Sequence, residues 1–252
     1  NETFPTGVDQ ETFTQELRLV SQGAGDLSWI IGGFYRDREA LTCGEFDAPG
    51  AAAAIGAGDP VRRPCALSTT PFTAFRNTAE DFEQLAVYGD VTYAITPAID
   101  LVGGLRWFEE DLSLEQELLV EGALAFLSNA SAVETDTDDV LFRGGVRWAL
   151  RDSLSSYVMY SQGFRSGGPN LNSAIVPGIP PLYEPDTLDN YELGLKYQSE
   201  DGRLRVAAAL FYSEWQDVQI TDAVIVADNP FPFQSNAGEA EISGAEVDVA
   251  YS

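Results

Sequence analysis

The sequence predicts an all-β protein, an antiparallel up-and-down transmembrane β-barrel segment of about nine strands. Apolar residues recur at every second position, in segments as long as the roughly 10 residues of a membrane-spanning strand. Short and long connections alternate between these segments, and aromatic residues gather toward the segment ends. A soluble β-protein with long hairpin loops is the alternative, but its strands would be about 5 to 6 residues long.

Most predicted strands have an apolar side and a polar side, because successive side chains of a strand point to opposite faces, whereas 27–38 and 153–165 are partly apolar on both faces. In the third strand, Leu85, Val87 and Val91 alternate with Tyr88 and Asp90. The same test applied along the chain predicts strands over residues 11–21, 27–38, 79–95, 99–121, 137–150, 153–165, 188–199, 203–220 and 238–252.

The connections between these strands are of two kinds that alternate. The short ones are rich in Gly, Asp, Ser and Pro, as tight turns are, and comprise residues 22–26, 96–98, 151–153 and 200–202. The long ones lie near 39–78, 122–136, 166–187 and 221–237. Outer-membrane barrels have short periplasmic turns and long external loops, so we expect the long connections to face outside.

Composition excludes several classes of function. The chain has 14 basic and 40 acidic residues, a formal charge of -26, which repels nucleic-acid phosphates. It contains no histidine, so the most common general base and histidine metal sites are missing. We therefore predict no nucleic-acid partner, no cofactor, no catalytic residue and no enzymatic activity. We assign no metal site; Ca²⁺ binding through the oxygen ligands of Glu134, Asp136, Asp138 and Asp139 is the alternative.

The two cysteines, Cys43 and Cys65, lie close together in one irregular segment of a chain that has no other cysteine. Such a pair is typical of a single disulfide formed in an oxidising compartment, and we predict that disulfide here. Two free thiols are the alternative.

Three stretches resemble the β-barrel of TonB-dependent outer-membrane receptors of the iron-complex type. The first is TQELRLVS from Thr14, followed by WIIGGFY from Trp29, and the second is YVMYSQGFRSGG from Tyr157. The third combines YEPDTLDNYELGLKY from Tyr183, RLRVAAALFYSEWQDVQI from Arg203 and NAGEAEISGAEVDV from Asn236. These stretches have the order and approximate spacing that they have in the family.

The resemblance implies a role in active transport across the bacterial outer membrane. It implies that residues 1–252 are part of one barrel domain of roughly 22 strands, with the plug domain and the closing C-terminal strands absent from this sequence. The expected partners are outer-membrane lipid, TonB acting through the plug, and a scarce bulky ligand such as a ferric siderophore, cobalamin or an oligosaccharide. A passive channel or a surface adhesin on a similar barrel is the alternative.

Ligand capture is expected at the loops 166–187 and 221–237. These loops mix proline, glycine and apolar residues with few charges, and exposed apolar surface often marks a binding site. Aromatic and arginine side chains in or beside the loops are the candidate ligand contacts. They are Phe164, Arg165, Tyr183, Trp215, Phe231 and Phe233.

Overall fold

The computed structural model describes residues 6–23, 25–46, 74–120, 128–174, 176–226 and 229–252. Its strands are β1 Thr6–Val20, β2 Leu27–Phe46, β3 Ala74–Thr96, β4 Ile99–Val120, β5 Asn129–Arg151, β6 Leu154–Arg165, β7 Gly168–Pro169, β8 Leu182–Tyr183, β9 Asp186–Gln198, β10 Leu204–Gln216, β11 Gln219–Val226, β12 Asn229–Asn236 and β13 Ala240–Tyr251. One 3-10 helix, Leu171–Ala174, interrupts the connection between β7 and β8. No helix in the described part of the chain has the length and apolarity to cross a bilayer.

Nine of the strands form one antiparallel sheet in the order β1-β2-β3-β4-β5-β6-β9-β10-β13. Each of these nine long strands pairs with the long strands before and after it in the chain, which is the topology of an up-and-down barrel wall. The prediction of an all-β antiparallel sheet of about nine strands is therefore confirmed. The short strands β7, β8, β11 and β12 form separate two-stranded sheets within the long connections.

Three strands reach further into the long connections than the sequence predicts. Residues 39–46, 74–78 and 129–136 were expected in loops, but they extend β2, β3 and β5. Two antiparallel neighbours can continue their ladder of backbone hydrogen bonds beyond the bilayer. Polar residues then occupy both faces, which removes the alternation that marks a strand.

The predicted strand 203–220 is wrong at its end, and part of the predicted loop 221–237 is strand. The strand β10 stops at Gln216, and Asp217 has a positive φ of 54°, which a ladder residue does not adopt. The following residues form the hairpin β11–β12, in which Gln219 pairs with Asn236 and Val226 with Asn229.

The nine long strands have two chemically different faces. We call the face that carries the exposed side chains of Leu85, Val87 and Leu105 the outer face, and the opposite face the inner face. The register places Tyr88 beside Arg106, and Gly104 beside Arg143, on the inner face. Apart from Arg151, which ends β5 opposite Leu154, every lysine and arginine within these nine described strands occupies an inner-face position.

Glycines on the inner face make room for tyrosine rings of the neighbouring strand. Gly32 pairs with Tyr88 and Gly194 with Tyr157, and a Cβ at either glycine would overlap the ring. The hydroxyl of Tyr88 donates to Glu16, and that of Tyr157 donates to Glu192. These strands therefore pack closely while the phenol groups remain hydrogen-bonded.

Candidate ligand-binding loops

Two connections lie at the same end of the sheet, opposite the short turns. The loop 166–187 joins β6 to β9 and contains β7, the 3-10 helix and β8. The hairpin β11–β12 lies in the connection between β10 and β13. Because β6, β9, β10 and β13 are consecutive in the sheet, the two connections leave the wall side by side.

The loop 166–187 contains two buried apolar side chains, Val176 and Ile179. The amide of Val176 donates to the carbonyl of Asn172 at 2.9 Å, and Gly178 has a φ of 99°, which favours glycine. The loop is thus a folded element that can hold side chains in place.

An ion pair and a glutamine join the base of this loop to the hairpin. Arg165 donates from both Nε and Nη2 to Asp186 Oδ2, the former at 3.0 Å, and the Asp186 side chain is 3% exposed. The backbone amide of Gln219 donates to the same oxygen at 3.1 Å. The Gln219 side chain donates to the carbonyls of Ser166 at 2.9 Å and Glu184 at 3.1 Å.

Two asparagines make paired bonds between the upper parts of the loop and the hairpin, in addition to the single bond that Asn172 Nδ2 donates to the carbonyl of Pro232 at 2.9 Å. Asn170 Nδ2 donates to the carbonyl of Gln234 at 2.8 Å, and the Gln234 amide donates back to Asn170 Oδ1 at 2.7 Å. Asn236 Nδ2 donates to the carbonyl of Glu184 at 2.9 Å, and the Glu184 amide donates to Asn236 Oδ1 at 2.8 Å. Each of the two paired asparagines therefore satisfies both backbone groups of one residue in the other element.

The loop 166–187 is also fastened to the inner face of the wall. The Ser166 hydroxyl donates to Glu110, a buried carboxylate of β4 that also accepts from Gln84 Nε2 at 2.5 Å. Further along the loop, Arg76 Nη2 donates to Asn172 Oδ1 at 3.3 Å. Gln116 Nε2 of β4 also donates to the carbonyl of Leu171 at 3.5 Å, so the wall holds the loop at three points.

Three of the predicted ligand contacts lie where the strands end. The Phe164 ring packs against Phe108, with centroids 4.8 Å apart. The Arg165 guanidinium lies 5.3 Å from the centroid of Trp215, so these two candidates contact each other.

The other three predicted contacts lie in the loops themselves. Tyr183 is half-buried in β8, opposite Gly168, and burial raises the pKa of its hydroxyl, which stays protonated at neutral pH. Phe231 and Phe233 are half-buried on β12, opposite Val224 and Asp222.

Sequence reasoning missed the side chains that join the two elements. These include Asn170, Asp186, Gln219 and Asn236, and Glu110, which joins the loop to the wall, was also missed. All five bond to partners more than 30 positions away, so no local pattern could identify the pairs. The one available signal was the presence of amide side chains in otherwise apolar loops.

Apolar side chains are exposed on the same two elements. Ile225 of the hairpin is 63% exposed, and Ile220 and Leu182 are also exposed. Within the described residues, no group of three or more acidic or cysteine side chains is arranged to hold a metal ion. The surface therefore offers apolar contacts and amide groups.

The predicted disulfide falls partly outside the described residues. Cys43 is buried in β2, opposite Asn77 and close to Phe75, so it lies on a strand and not in the irregular segment where we expected it. Cys65 lies outside the described residues. The pairing of the two cysteines stays a prediction.

The wall and its loops define a class of protein, the large transmembrane β-barrels with long external connections. A family model described as TonB dependent receptor-like, beta-barrel matches residues 2–252. The chain therefore belongs to the TonB-dependent receptor β-barrel family, whose members are outer-membrane receptors and not enzymes.

Two curated relatives are receptors of the same kind. The pesticin receptor of Yersinia pestis is 28% identical over 239 residues, which cover 94% of this chain and 31% of that receptor. The probable TonB-dependent siderophore receptor PiuA of Acinetobacter baumannii is 26% identical over 185 residues, covering 70% of this chain and 23% of PiuA.

The crystal structure of the ferric yersiniabactin uptake receptor FyuA from Yersinia pestis has the same fold. It matches with a TM-score of 0.72 at 23% identity, over 98% of this chain and 33% of FyuA. The chain spans about a third of the length of the pesticin receptor and of FyuA.

Proposed function

We propose that this chain is part of an outer-membrane active-transport receptor for a scarce bulky solute, a ferric siderophore or a similar iron complex. The loop 166–187 and the hairpin β11–β12 supply part of its external binding site. The observation that carries the proposal is the joining of these two elements beside exposed apolar side chains, at the end of a wall of the TonB-dependent receptor family.

The surface suits a ligand with a large organic scaffold. Ile225, Ile220 and Leu182 expose apolar area, and Tyr183, Phe231 and Phe233 provide aromatic rings. Aromatic side chains give large contact area for little loss of side-chain entropy. Cobalamin and oligosaccharides are other bulky ligands that such a surface fits, and the binding experiment includes them as probes.

Energy from TonB belongs to the same proposal. A ferric complex captured at the external loops must pass through the barrel and across the outer membrane against a concentration gradient, and in this family TonB acts through a plug. The names of relatives support the iron complex as cargo, since they include a siderophore receptor and a ferric yersiniabactin uptake receptor. The passive channel remains the alternative.

Deletion of each element in the full-length protein tests the binding site. In one variant a short Gly-Ser linker replaces residues 169–182, and in a second it replaces residues 219–236. Binding of ferric yersiniabactin, a ferric catecholate, cobalamin and a maltodextrin is measured for both variants and the parent. We expect the deletions to abolish binding of the ligand that the parent binds, while the barrel stays inserted and heat-modifiable.

Uptake of radioactive iron by whole cells tests the energy source. The proposed active transport stops when a protonophore collapses the proton motive force, whereas passage through a channel continues. A parent that binds none of the four probes, or two deletion variants that bind as well as the parent, would contradict the proposed site.

A further inference from the structure

We infer that the loop 166–187 and the hairpin β11–β12 form one preorganised unit, held together by Asn170, Asn236 and Gln219. Arg165 acts in this unit as a positioning residue. The inference deepens the proposed function and rests on it for the ligand, but the joint between the two elements can be tested without any ligand.

The two asparagines make a reciprocal exchange. Asn170 belongs to the loop and bonds both backbone groups of Gln234 in the hairpin, while Asn236 belongs to the hairpin and bonds both backbone groups of Glu184 in the loop. Each side-chain amide thus makes the pair of hydrogen bonds that the backbone of a neighbouring strand would otherwise make. Asn170 is 5% exposed, so its bonds cannot be exchanged readily for bonds to water.

Gln219 connects the same elements at their base. Its backbone amide donates to Asp186, its carbonyl accepts from Arg165 Nη2 at 3.2 Å, and its side chain donates to both flanks of the loop. Gln219 is the first residue of β11, so any movement of the hairpin relative to the loop must break several of these bonds together. Bonds that break together make the joint cooperative.

The Arg165 guanidinium binds the carboxylate of Asp186, so we assign it to positioning and not to ligand contact. Two of its nitrogens bond the carboxylate of Asp186, one of them also bonds Gln219, and the group lies over Trp215. Removal of Arg165 would leave a carboxylate that is almost wholly buried with the Gln219 amide as its remaining hydrogen-bond donor. The cost of such an unpaired buried charge would loosen the strand end and both loop elements.

The test uses Asn170→Asp and Asn236→Asp in the full-length protein, with the amide hydrogen exchange of each element as the readout. Aspartate has the size of asparagine, but its ionised form cannot donate to the carbonyl of Gln234 or Glu184. We expect exchange to quicken at least about tenfold in both elements, and not only in the one that carries the substitution. The control is Asp222→Asn, because Asp222 is exposed and, among the described residues, its side chain bonds only the amide of its neighbour Ala223.

Acid rescue separates loss of the hydrogen bond from simple loss of structure. A protonated aspartate carries one O–H donor and one carbonyl acceptor, so it can reproduce both bonds of the asparagine amide. The Asn170→Asp variant should therefore regain the slow exchange of the parent as pH falls toward about 4, near the ordinary pKa of aspartate. The parent at the same pH provides the reference.

The double variant tests cooperativity. If the two asparagines hold one joint, the second substitution adds little to the first, so the combined effect is smaller than the product of the single effects. Quickened exchange that is confined to the substituted element, or effects that multiply in full, would overturn the inference. Failure of the proposed function would look different. The parent would bind none of the ligands, while these exchange results would stay the same.

Discussion

The two ends of the nine long strands differ on the outer face. Toward the short turns, the last outward positions are apolar or aromatic, as with Leu27, Tyr93, Trp148, Tyr197 and Tyr251. Toward the long loops, the first charged outward position is acidic on every long strand except β6, where Gln162 takes its place. These acidic residues are Glu11, Asp37, Glu83, Glu109, Asp138, Asp189, Glu214 and Glu241.

The acidic positions continue along the strands in register. Asp37, Glu83, Asp111 and Asp136 are direct cross-strand neighbours on β2, β3, β4 and β5. Like charges in such positions repel one another, and the repulsion is tolerable only where water and salt screen it. These rows therefore mark the part of the wall that stands outside the hydrocarbon layer.

Tyrosine hydroxyls connect the apolar band to this acidic boundary. Tyr160 Oη donates to Asp189 at 2.7 Å, and Tyr212 Oη donates to Glu214 at 3.2 Å. Aromatic girdles lie at both edges of the lipid-facing band of outer-membrane barrels. The net charge of -26 thus arises largely from one end of the outer face, whereas the inner face balances its acids with the strand cations other than Arg151.

Labelling of the two ends on intact cells gives the largest expected effect, because it is all-or-none. In Gly25→Cys and Pro180→Cys, an impermeant thiol reagent should modify Cys at position 180 and spare position 25. The reason is that short turns of such barrels face the periplasm. The parent protein provides the background signal, and the reverse pattern would show that the acidic end faces inward.

A charge placed on each face should differ in cost by several kcal/mol. Ala208 lies on the outer face between Leu195 and Val247, while its neighbour Ala207 lies on the inner face between Lys196 and Asp248. Ala208→Arg should lower the free energy of unfolding in lipid vesicles by about 2 to 4 kcal/mol, the cost of arginine at the bilayer midplane. Ala207→Arg is the matched control, and equal losses would mean that the faces are wrongly assigned.

We also predict that a disulfide between Cys43 and Cys65 lies at the end of the wall that bears the acidic residues. Closing a loop of this size stabilises the folded protein by about 3 kcal/mol in the chain-entropy model. Reduction, or Cys65→Ser, should lower the free energy of unfolding by that amount. Two thiols that react with an alkylating reagent in the native, non-reduced protein, as counted by mass spectrometry, would rule the disulfide out.

The sequence predicted the strands of the membrane band more accurately than it predicted the structure of the external loops. Alternation found every long strand, because one face must be apolar wherever lipid covers it. It failed over residues 129–136, where Thr135 on the inner face and Asp136 on the outer face are both polar. Arg165 and Trp215 were each predicted as ligand contacts, but their contact with each other and the bonds of Arg165 to Asp186 and Gln219 join residues that are distant in the sequence.

The smallest expected effect lies at the opposite end, in the turn between β9 and β10. Asp201 accepts hydrogen bonds from the Ser199 hydroxyl at 2.5 Å and the Arg203 amide at 3.2 Å, and Gly202 supplies a φ of 71°. The hydrogen bond from Ser199, followed by that from the Arg203 amide, lowers the pKa of Asp201 below its ordinary value. A group with a lowered folded-state pKa contributes stability above its unfolded pKa of about 3.9 and loses it as pH falls through the folded value.

Unfolding titrations of the parent and Asp201→Asn are measured from pH 7 down to pH values below the folded-state pKa of Asp201. They should show a small difference in the free energy of unfolding at neutral pH that vanishes in acid. Glu200→Gln in the same turn is the control, and a difference between the parent and Asp201→Asn that stays constant with pH would contradict the assigned role of the carboxylate.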